Sequence, residues 1–191
     1  MFQIRFHGRG GQGVVTAAAV LSVAAFLEDK YAQAFPSFGS ERMGAPVVSF
    51  CRIDSKEIRL REPIAAPDAL IVQDATLFKA IDVCQGLKDS GYLLVNTHRS
   101  FADLNLEALV AKLPPGHAVT VPATDLAMKH IGRPVPNAAL LGAFAALTGV
   151  VRLDSVAKAI REEFPGKIGD ANIAAATEAH DAVAARVKTA A

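Results

Sequence analysis

A series of short apolar runs constrains the fold of this chain more than any other feature. The clearest runs are 69–72 and 92–96, and a third strand pattern follows at 118–121. An uninterrupted apolar run of this length is typical of a strand that is buried on both faces, as the strands of a parallel sheet are. Parallel neighbours need long crossover connections between them. The runs therefore predict a parallel sheet whose strands are joined through intervening helices.

The remaining patterns complete an alternation of strands and helices. Residues 2–6 alternate apolar and polar side chains as a strand does, and 47–53 is another strand pattern. Helical patterns cover 14–27, 76–87, 104–113, 123–131, 138–148, 155–163 and 172–188. We therefore predict an α/β fold with a doubly wound, mostly parallel sheet, helices on both faces and a helical C-terminal portion. One domain is expected over 1–191, with an α/β core at 1–122 and the helical portion at 123–191.

Composition and charge exclude several classes of protein. The 191 residues are 51% hydrophobic and 20% charged, which excludes an intrinsically disordered chain. The net charge of +1 lacks the basic excess of nucleic-acid-binding proteins. The longest apolar run, 14–26, is shorter than the ~20 residues that span a bilayer. The first strand pattern begins at residue 2 and leaves no room for a leader. We therefore expect a cytoplasmic protein with no membrane span and no nucleic-acid partner.

Residues suited to catalysis or metal binding are scarce. Cys51 and Cys84 are the only cysteines, and two thiols cannot form a four-cysteine zinc or iron–sulfur site. His7 and His98 follow predicted strands, where α/β proteins bind ligands, but the sequence shows no nucleophile or carboxylate partner for either. The sequence therefore predicts no catalytic residue and no metal ligand on this chain.

A glycine-rich segment joins the first strand to the first helix. It consists of Gly8, Arg9, Gly10, Gly11, Gln12 and Gly13. Glycines permit positive φ angles and close backbone approach, and a helix N-terminus offers unpaired N–H groups to an anion. The segment matches G-x-G-x-x-G, but the carboxylate that binds the ribose of a dinucleotide is missing from 31–36. Three interpretations stay open: a dinucleotide site, a contact with another phosphate-bearing ligand or a subunit, and a structural turn.

Two further segments contain residues suited to binding. The long connection 35–45 includes Arg42, which is suited to a phosphate, a carboxylate or an ion pair with a partner; a surface pair with Glu41 is the alternative. Asn137 is expected to cap a helix, or else to face a ligand. Small residues on that helix would allow another element to approach closely; they are Ala138, Gly142, Ala145 and Ala146.

Four segments in this order resemble the gamma subunit, or gamma domain, of the 2-oxoacid:acceptor oxidoreductases. They are 6–16, which contains the glycine-rich segment, and 36–46, 67–72 and 137–143. The pyruvate:ferredoxin oxidoreductases are the best-known members of this family, and relatives act on branched-chain, aromatic and other 2-oxoacids. The resemblance covers nearly the whole chain and is far more specific than the glycine-rich segment alone.

The resemblance implies a subunit rather than an enzyme in its own right. In such complexes thiamine diphosphate lies between the other catalytic subunits, and a ferredoxin-like subunit carries iron–sulfur clusters. The complex oxidatively decarboxylates a 2-oxoacid, delivers the acyl group to coenzyme A and passes electrons to ferredoxin or NAD. The expected partners are alpha, beta and ferredoxin-like delta-type subunits, with ferredoxin or an NAD-reducing subunit downstream. The gamma part is similar to a lid-like domain near the coenzyme A entry.

A contact between this chain and coenzyme A is inferred from the residues and is not fixed by the family motif. The residues assigned to it are Gly8, Arg9, Gly10, Gly11, Gln12, Gly13, Arg42 and Asn137. The glycine-rich segment would supply backbone N–H groups to a phosphate or a partner's carboxylate, with Arg9 as the nearest charge. Two alternatives stay open: a free-standing dinucleotide-binding oxidoreductase module, and an assembly scaffold that binds no ligand.

Overall fold

A six-stranded sheet is the centre of the computed structural model, which describes residues 1–37 and 43–190. The strands are β1 (Phe2–Arg9), β2 (Tyr31–Pro36), β3 (Pro46–Asp54), β4 (Ala69–Val72), β5 (Tyr92–Asn96) and β6 (Ala118–Val121). Their order across the sheet is β2-β3-β1-β4-β5-β6. β1, β4, β5 and β6 are parallel, whereas β3 runs antiparallel to both β1 and β2. The predicted mostly parallel α/β sheet is confirmed.

Long helices pack on one face of this sheet. The helices are α1 (Val14–Phe26), α2 (Glu107–Val110), α3 (Ala123–Ile131), α4 (Asn137–Thr148), α5 (Leu153–Glu163) and α6 (Gly166–Ala190). Helices α1, α4, α5 and α6 bury apolar side chains in one core with Ile4, Phe6 and Ile71 of the sheet. Because α3 to α6 all follow the last strand, the helical C-terminal portion is confirmed. Within the described residues, no helix is long and apolar enough to cross a bilayer.

Shorter elements cover the other face of the sheet. The predicted helix at 76–87 is wrong beyond a 3₁₀ helix, Ala75–Lys79. The guanidinium of Arg5 donates to the carbonyl of Val83, which a helix continued to residue 87 would need for the N–H of Leu87. The predicted helix at 104–113 is likewise limited to α2, because Asn105 has a φ of 57° that a helix cannot include.

A close contact between α4 and α6 confirms the expectation drawn from the small residues. A side chain on Gly142 would overlap the carbonyl oxygen of Ala176 in α6. Ala138 and Ala145 of α4 are buried, as is Ala179 of α6. The alanine-rich end of the chain is therefore a helix that lies directly against the backbone of its neighbour, and it begins earlier than the predicted 172–188.

Candidate functional site

An open cleft lies at the carboxyl ends of β4, β5 and β6. Its volume is about 660 Å³, and its walls are the segments that follow these strands, at 74–79, 96–99 and 122–125, together with 103–106. In open α/β sheets, ligands bind outside the carboxyl ends of the parallel strands. This cleft is therefore the candidate ligand site of the chain, and Gln12 of the glycine-rich segment is part of its lining.

The glycine-rich segment begins as strand and turns only at its end. Gly8 and Arg9 still belong to β1 and pair with β3. Gly11 and Gly13 then take φ values of 93° and 71°, which favour glycine because a Cβ would be strained there. Gly13 directly precedes α1. The tight turn is therefore confined to residues 10–13, between the end of β1 and the first residue of α1.

The connection that follows β2 returns to this turn. Gly10 donates its N–H to the carbonyl of Ala45 at 2.9 Å, and its own carbonyl accepts from the N–H of Gly44 at 3.1 Å. Two segments that are far apart in the sequence are thus joined backbone to backbone. We call the resulting arrangement of residues 8–13 and 43–45 the glycine unit.

Met43 lies across the turn of the glycine unit. It forms a β-bridge with Gly10, and a Cβ built on Gly11 would come within 2.5 Å of the Met43 Sδ. Arg42, which the sequence assigns to binding, lies outside the described residues.

One carboxylate ties the glycine unit to the wall of the cleft. Arg9 Nε and Gln12 Nε2 donate to Asp74 Oδ2 at 3.1 and 3.0 Å. Arg9 also donates to the Gly44 carbonyl at 3.0 Å and to the Thr76 hydroxyl at 2.9 Å. Burial alone would raise the pKa of Asp74, but hydrogen bonds from Thr76 and Gln12 and the charge of Arg9 hold it below its ordinary value. Arg9 is therefore an ion-paired residue rather than a free cation.

Asn137 lies on the opposite side of the same turn. The predicted N-cap role is wrong, because α4 begins at Asn137 and its cap position is Pro136. The Asn137 Oδ1 accepts from the N–H of Ala138 at 2.8 Å. Its Nδ2 lies so close to Gly13 that a Cβ there would approach it to 2.6 Å. The structure therefore brings Asn137 and the glycine turn together, although 124 residues separate Asn137 from Gly13 in the sequence.

Part of the backbone nest expected from the sequence is already occupied by the protein itself. The N–H of Arg9 donates to Gln12 Oε1 at 2.8 Å, and that of Gln12 donates to the Arg9 carbonyl at 3.1 Å. Gly10 donates to the carbonyl of Ala45, as described above. Within the described part of the chain, the N–H groups of Gly11 and Gly13 have no acceptor. Any phosphate or carboxylate bound by this turn would therefore use these two groups.

The sheet order does not place a dinucleotide's ribose as the G-x-G-x-x-G fingerprint requires. In that fold the strand after the first helix is a parallel neighbour of β1, and its end carries the ribose carboxylate. Here β2 follows α1 but lies at the edge of the sheet, and the antiparallel β3 separates it from β1. Residues 31–36 contain no carboxylate. The topology therefore counts against the dinucleotide interpretation on a second, independent ground.

Several cleft residues carry no distinctive sequence motif. Asn96, at the end of β5, donates from Nδ2 to the Gln73 carbonyl and to the Thr124 hydroxyl, both at 2.8 Å, and its Oδ1 accepts from the Thr124 N–H at 3.1 Å. Asp74 has the role already described. The signal that identifies Asp74, Asn96 and Thr124 is their position, because polar residues at or just after the ends of buried parallel strands collect at one edge of the sheet. His98 also lines the cleft.

His7 is removed from the cleft and buried on the far face of the sheet. Its Nε2 accepts a hydrogen bond of 2.9 Å from Arg5 Nε. Burial and, to a smaller extent, the charge of Arg5 lower the pKa of His7 to about 4. The imidazole is therefore neutral and inaccessible, as is the Cys51 thiol, whose pKa burial raises far above its usual range.

The buried His7 should make the stability of the chain pH-dependent. The pKa of His7 lies below its unfolded value of 6.5, so the unfolded chain binds more protons between pH 6.5 and about 4. Stability should thus fall on acidification through this window, by about 2 kcal/mol between pH 7 and pH 5 from this group. Urea unfolding of the wild type and of His7→Gln at both pH values measures the difference. Equal losses of stability in the two proteins would show that His7 is not the group responsible.

Comparison with known proteins gives matches along almost the whole chain. Residues 3–182 match the family model described as pyruvate ferredoxin/flavodoxin oxidoreductase. The pyruvate/ketoisovalerate oxidoreductases common subunit gamma of Pyrococcus furiosus is 50% identical, over 95% of this chain and 96% of the relative. The pyruvate synthase subunit PorC of Methanothermobacter marburgensis is 49% identical, over 95% and 97%.

A solved structure extends these matches to the fold. The crystal structure of the pyruvate oxidoreductase subunit PORC of Thermotoga maritima superposes with a TM-score of 0.78 and 38% identity. The match covers 94% of this chain and 95% of that subunit. Both the sequence and the fold of this chain thus match subunits named gamma or PorC over nearly their full length. This chain belongs to the pyruvate ferredoxin/flavodoxin oxidoreductase family and, within it, to the gamma or PorC type of subunit.

Proposed function

We propose that the chain is the gamma subunit of a complex that oxidatively decarboxylates a 2-oxoacid to an acyl-CoA and passes the electrons to ferredoxin or NAD. The observation that carries this proposal is the match over nearly the full length of both chains to gamma and PorC subunits. These matches cover 96% and 97% of the two relatives, so they are not confined to one shared motif. The partners are alpha, beta and ferredoxin-like delta-type subunits, and the complex is cytoplasmic.

In this proposal the chemistry that breaks the carbon–carbon bond belongs to the partners. Thiamine diphosphate and iron–sulfur clusters are carried by other subunits. The two cysteines of this chain cannot provide the four thiolates of a cluster, and Cys51 is buried in the core. The chain contributes structure and, at the glycine unit, a contact with coenzyme A.

The free N–H groups and the adjoining cleft support the coenzyme A contact. Gly11 and Gly13 present their amides beside the N-terminus of α1, an arrangement that favours a phosphate oxygen. The cleft next to them, about 660 Å³, is of the size that holds a small ligand. Its charged lining is mixed rather than strongly basic, with Lys79 and Arg99 beside acidic residues. The backbone amides are therefore the proposed phosphate contact.

Partner dependence is the first test of this function. The purified single chain is expected to turn over no 2-oxoacid and to bind no iron, because its sequence has only two cysteines and no thiamine diphosphate motif. Co-expression with alpha, beta and delta-type subunits should give a complex that reduces ferredoxin only when a 2-oxoacid and coenzyme A are present. Turnover by the chain alone would overturn the proposal, and tight NAD binding by the chain alone would revive the dinucleotide module.

A substitution at Gly11 tests the coenzyme A contact inside the complex. Gly11→Val adds side-chain atoms where Met43 lies and strains a residue whose φ is 93°. A strain of about 1–2 kcal/mol at the contact corresponds to roughly a tenfold higher KM for coenzyme A, with the 2-oxoacid KM unchanged. Arg9→Ala should act in the same direction more weakly.

The matched control for Gly11→Val is Gly149→Val. Gly149 also has a positive φ, 63°, but no atom lies within 4 Å of its added Cβ, and it ends α4. It therefore reproduces the backbone strain without touching the glycine unit. Size-exclusion chromatography of each complex verifies assembly. An intact Gly11→Val complex with wild-type coenzyme A kinetics would favour the ligand-free scaffold instead.

A further inference from the structure

We propose that Asp74 is the positioning residue of the glycine unit, a role that rests on the proposed function of that unit. The sequence gives Asp74 no binding motif, and it belongs to neither of the two loops that form the unit. Its carboxylate nevertheless contacts the unit from the cleft wall through two different side chains, those of Arg9 and Gln12.

Both oxygens of the Asp74 carboxylate are fully engaged, and every partner is a donor. Oδ2 accepts from Arg9 Nε and Gln12 Nε2 at 3.1 and 3.0 Å. Oδ1 accepts from the N–H of Thr76 at 2.9 Å and from its hydroxyl at 2.5 Å. An aspartate accepts at all of these positions, whereas an asparagine would turn an NH₂ group toward donors at one of its two ends. The site therefore requires a carboxylate and not merely a polar side chain of this size.

The two side chains held by Asp74 determine the shape of the unit. The Gln12 Oε1 accepts the Arg9 N–H at 2.8 Å, and its Nε2 donates to Asp74. The bond to Asp74 therefore holds the Gln12 side chain in the orientation that accepts the backbone N–H of the turn. Arg9 reaches past Asp74 to the carbonyl of Gly44 and so fixes the returning segment as well. Removing the carboxylate therefore removes one hydrogen bond from each of these two side chains at once.

The location of Asp74 makes its effect separable from global stability. The Arg9–Asp74 pair is partly exposed, with side-chain exposures of 29% and 17%, and it lies at the edge of the sheet outside both apolar clusters. Gly10, Gln12 and Gly44 have hydrogen-bonded amides within the unit, so the order of the unit can be measured by amide exchange. The core strands report on folding in the same experiment.

Asp68, at the other end of β4, provides a matched control for Asp74. It precedes β4, at the end opposite Asp74, and it too combines a backbone hydrogen bond with an ion pair. Its Oδ2 accepts from the N–H of Gln3 at 2.8 Å, and its Oδ1 accepts from Lys88 Nζ at 2.6 Å. Asp68→Asn therefore removes a comparable charge and comparable contacts without affecting the glycine unit.

The test compares Asp74→Asn with Asp68→Asn by hydrogen exchange on the full chain and by kinetics of the assembled complex. Asp74→Asn is expected to speed exchange of the hydrogen-bonded amides of Arg9, Gly10, Gln12 and Gly44 by at least about tenfold, with β5 unchanged, because an amide in place of the carboxylate cannot accept at both of its ends. It should also raise the coenzyme A KM several-fold at an unchanged 2-oxoacid KM. Asp68→Asn should do neither.

Two outcomes would overturn the positioning role. One is unchanged exchange of the glycine unit in Asp74→Asn. The other is faster amide exchange in the glycine unit of Asp74→Asn, in a complex that assembles and uses coenzyme A as the wild type does. Failure of the coenzyme A contact gives a different result. In that case Gly11→Val leaves the coenzyme A kinetics unchanged, whereas Asp74→Asn speeds amide exchange in the glycine unit and weakens assembly of the complex. The glycine unit would then be positioned for a subunit contact, and Asp74 would keep its positioning role.

Discussion

Replacing Gly142 with alanine is expected to destabilise the chain by about 3 kcal/mol, although alanine is the better helix former. In an exposed helix the same change would gain about 1 kcal/mol from helix propensity. Here the new Cβ would overlap the carbonyl oxygen of Ala176. That atom is backbone, so relief requires α4 and α6 to move apart. Their separation would open the core around Ala175 and Ala179.

Urea unfolding of Gly142→Ala, followed by circular dichroism, measures this loss. Gly149→Ala is the control, since nothing lies within 4 Å of its added Cβ and its cost is limited to the strain of a positive φ, about 1 kcal/mol. A stable Gly142→Ala chain would mean that α4 and α6 pack less closely than the structure shows.

Replacing Arg5 with methionine should cost about 3 kcal/mol, because a buried network loses its central donor. Arg5 is only 9% exposed. It donates to His7 Nε2 at 2.9 Å and to the carbonyls of Ile64, Val83 and Gln85. Methionine keeps most of the apolar stem and removes every one of these hydrogen bonds. The carbonyls of two segments covering the sheet would then lack their partner.

The comparison for Arg5→Met is Arg59→Met. Arg59 is 85% exposed in its side chain and, among the described residues, pairs with Glu57, so its loss should change stability by less than about 1 kcal/mol. Limited proteolysis gives a second readout, because the segment around Val83 should be cut faster in Arg5→Met. Equal stability of the two variants would show that Arg5 is not the anchor of this face.

Local sequence patterns were sufficient for the elements whose burial is uniform. The short apolar runs at β4 and β5 are typical of strands buried on both faces, and the apolar and small residues of α4 are typical of a helix packed closely against its neighbours. The amphipathic helices α3 and α5 follow instead from apolar residues that recur at the helical period. These elements depend on burial, which the residues themselves encode through their period and size.

Patterns failed where a distant side chain decided the local conformation. The segment 76–87 has a helical pattern, yet the helix stops at Lys79, and Arg5 of β1 binds the Val83 carbonyl that a longer helix would use. Asn137 has the chemistry of an N-cap, yet the helix begins one residue earlier than a cap would allow, and its amide lies against Gly13. No local pattern contains these partners, because each lies on another element.

The sequence by itself determined which residue types bear on the site: a glycine turn that admits positive φ, a small-residue helix, and the family to which the chain belongs. Only the tertiary structure decided how they are used. It placed the antiparallel β3 beside β1, joined Gly10 to the segment after Arg42, and set the Asp74 carboxylate against Arg9 and Gln12. The physical reason is that conformation and burial are properties of a short stretch of chain, whereas hydrogen bonding and charge pairing depend on which strands become neighbours in the sheet.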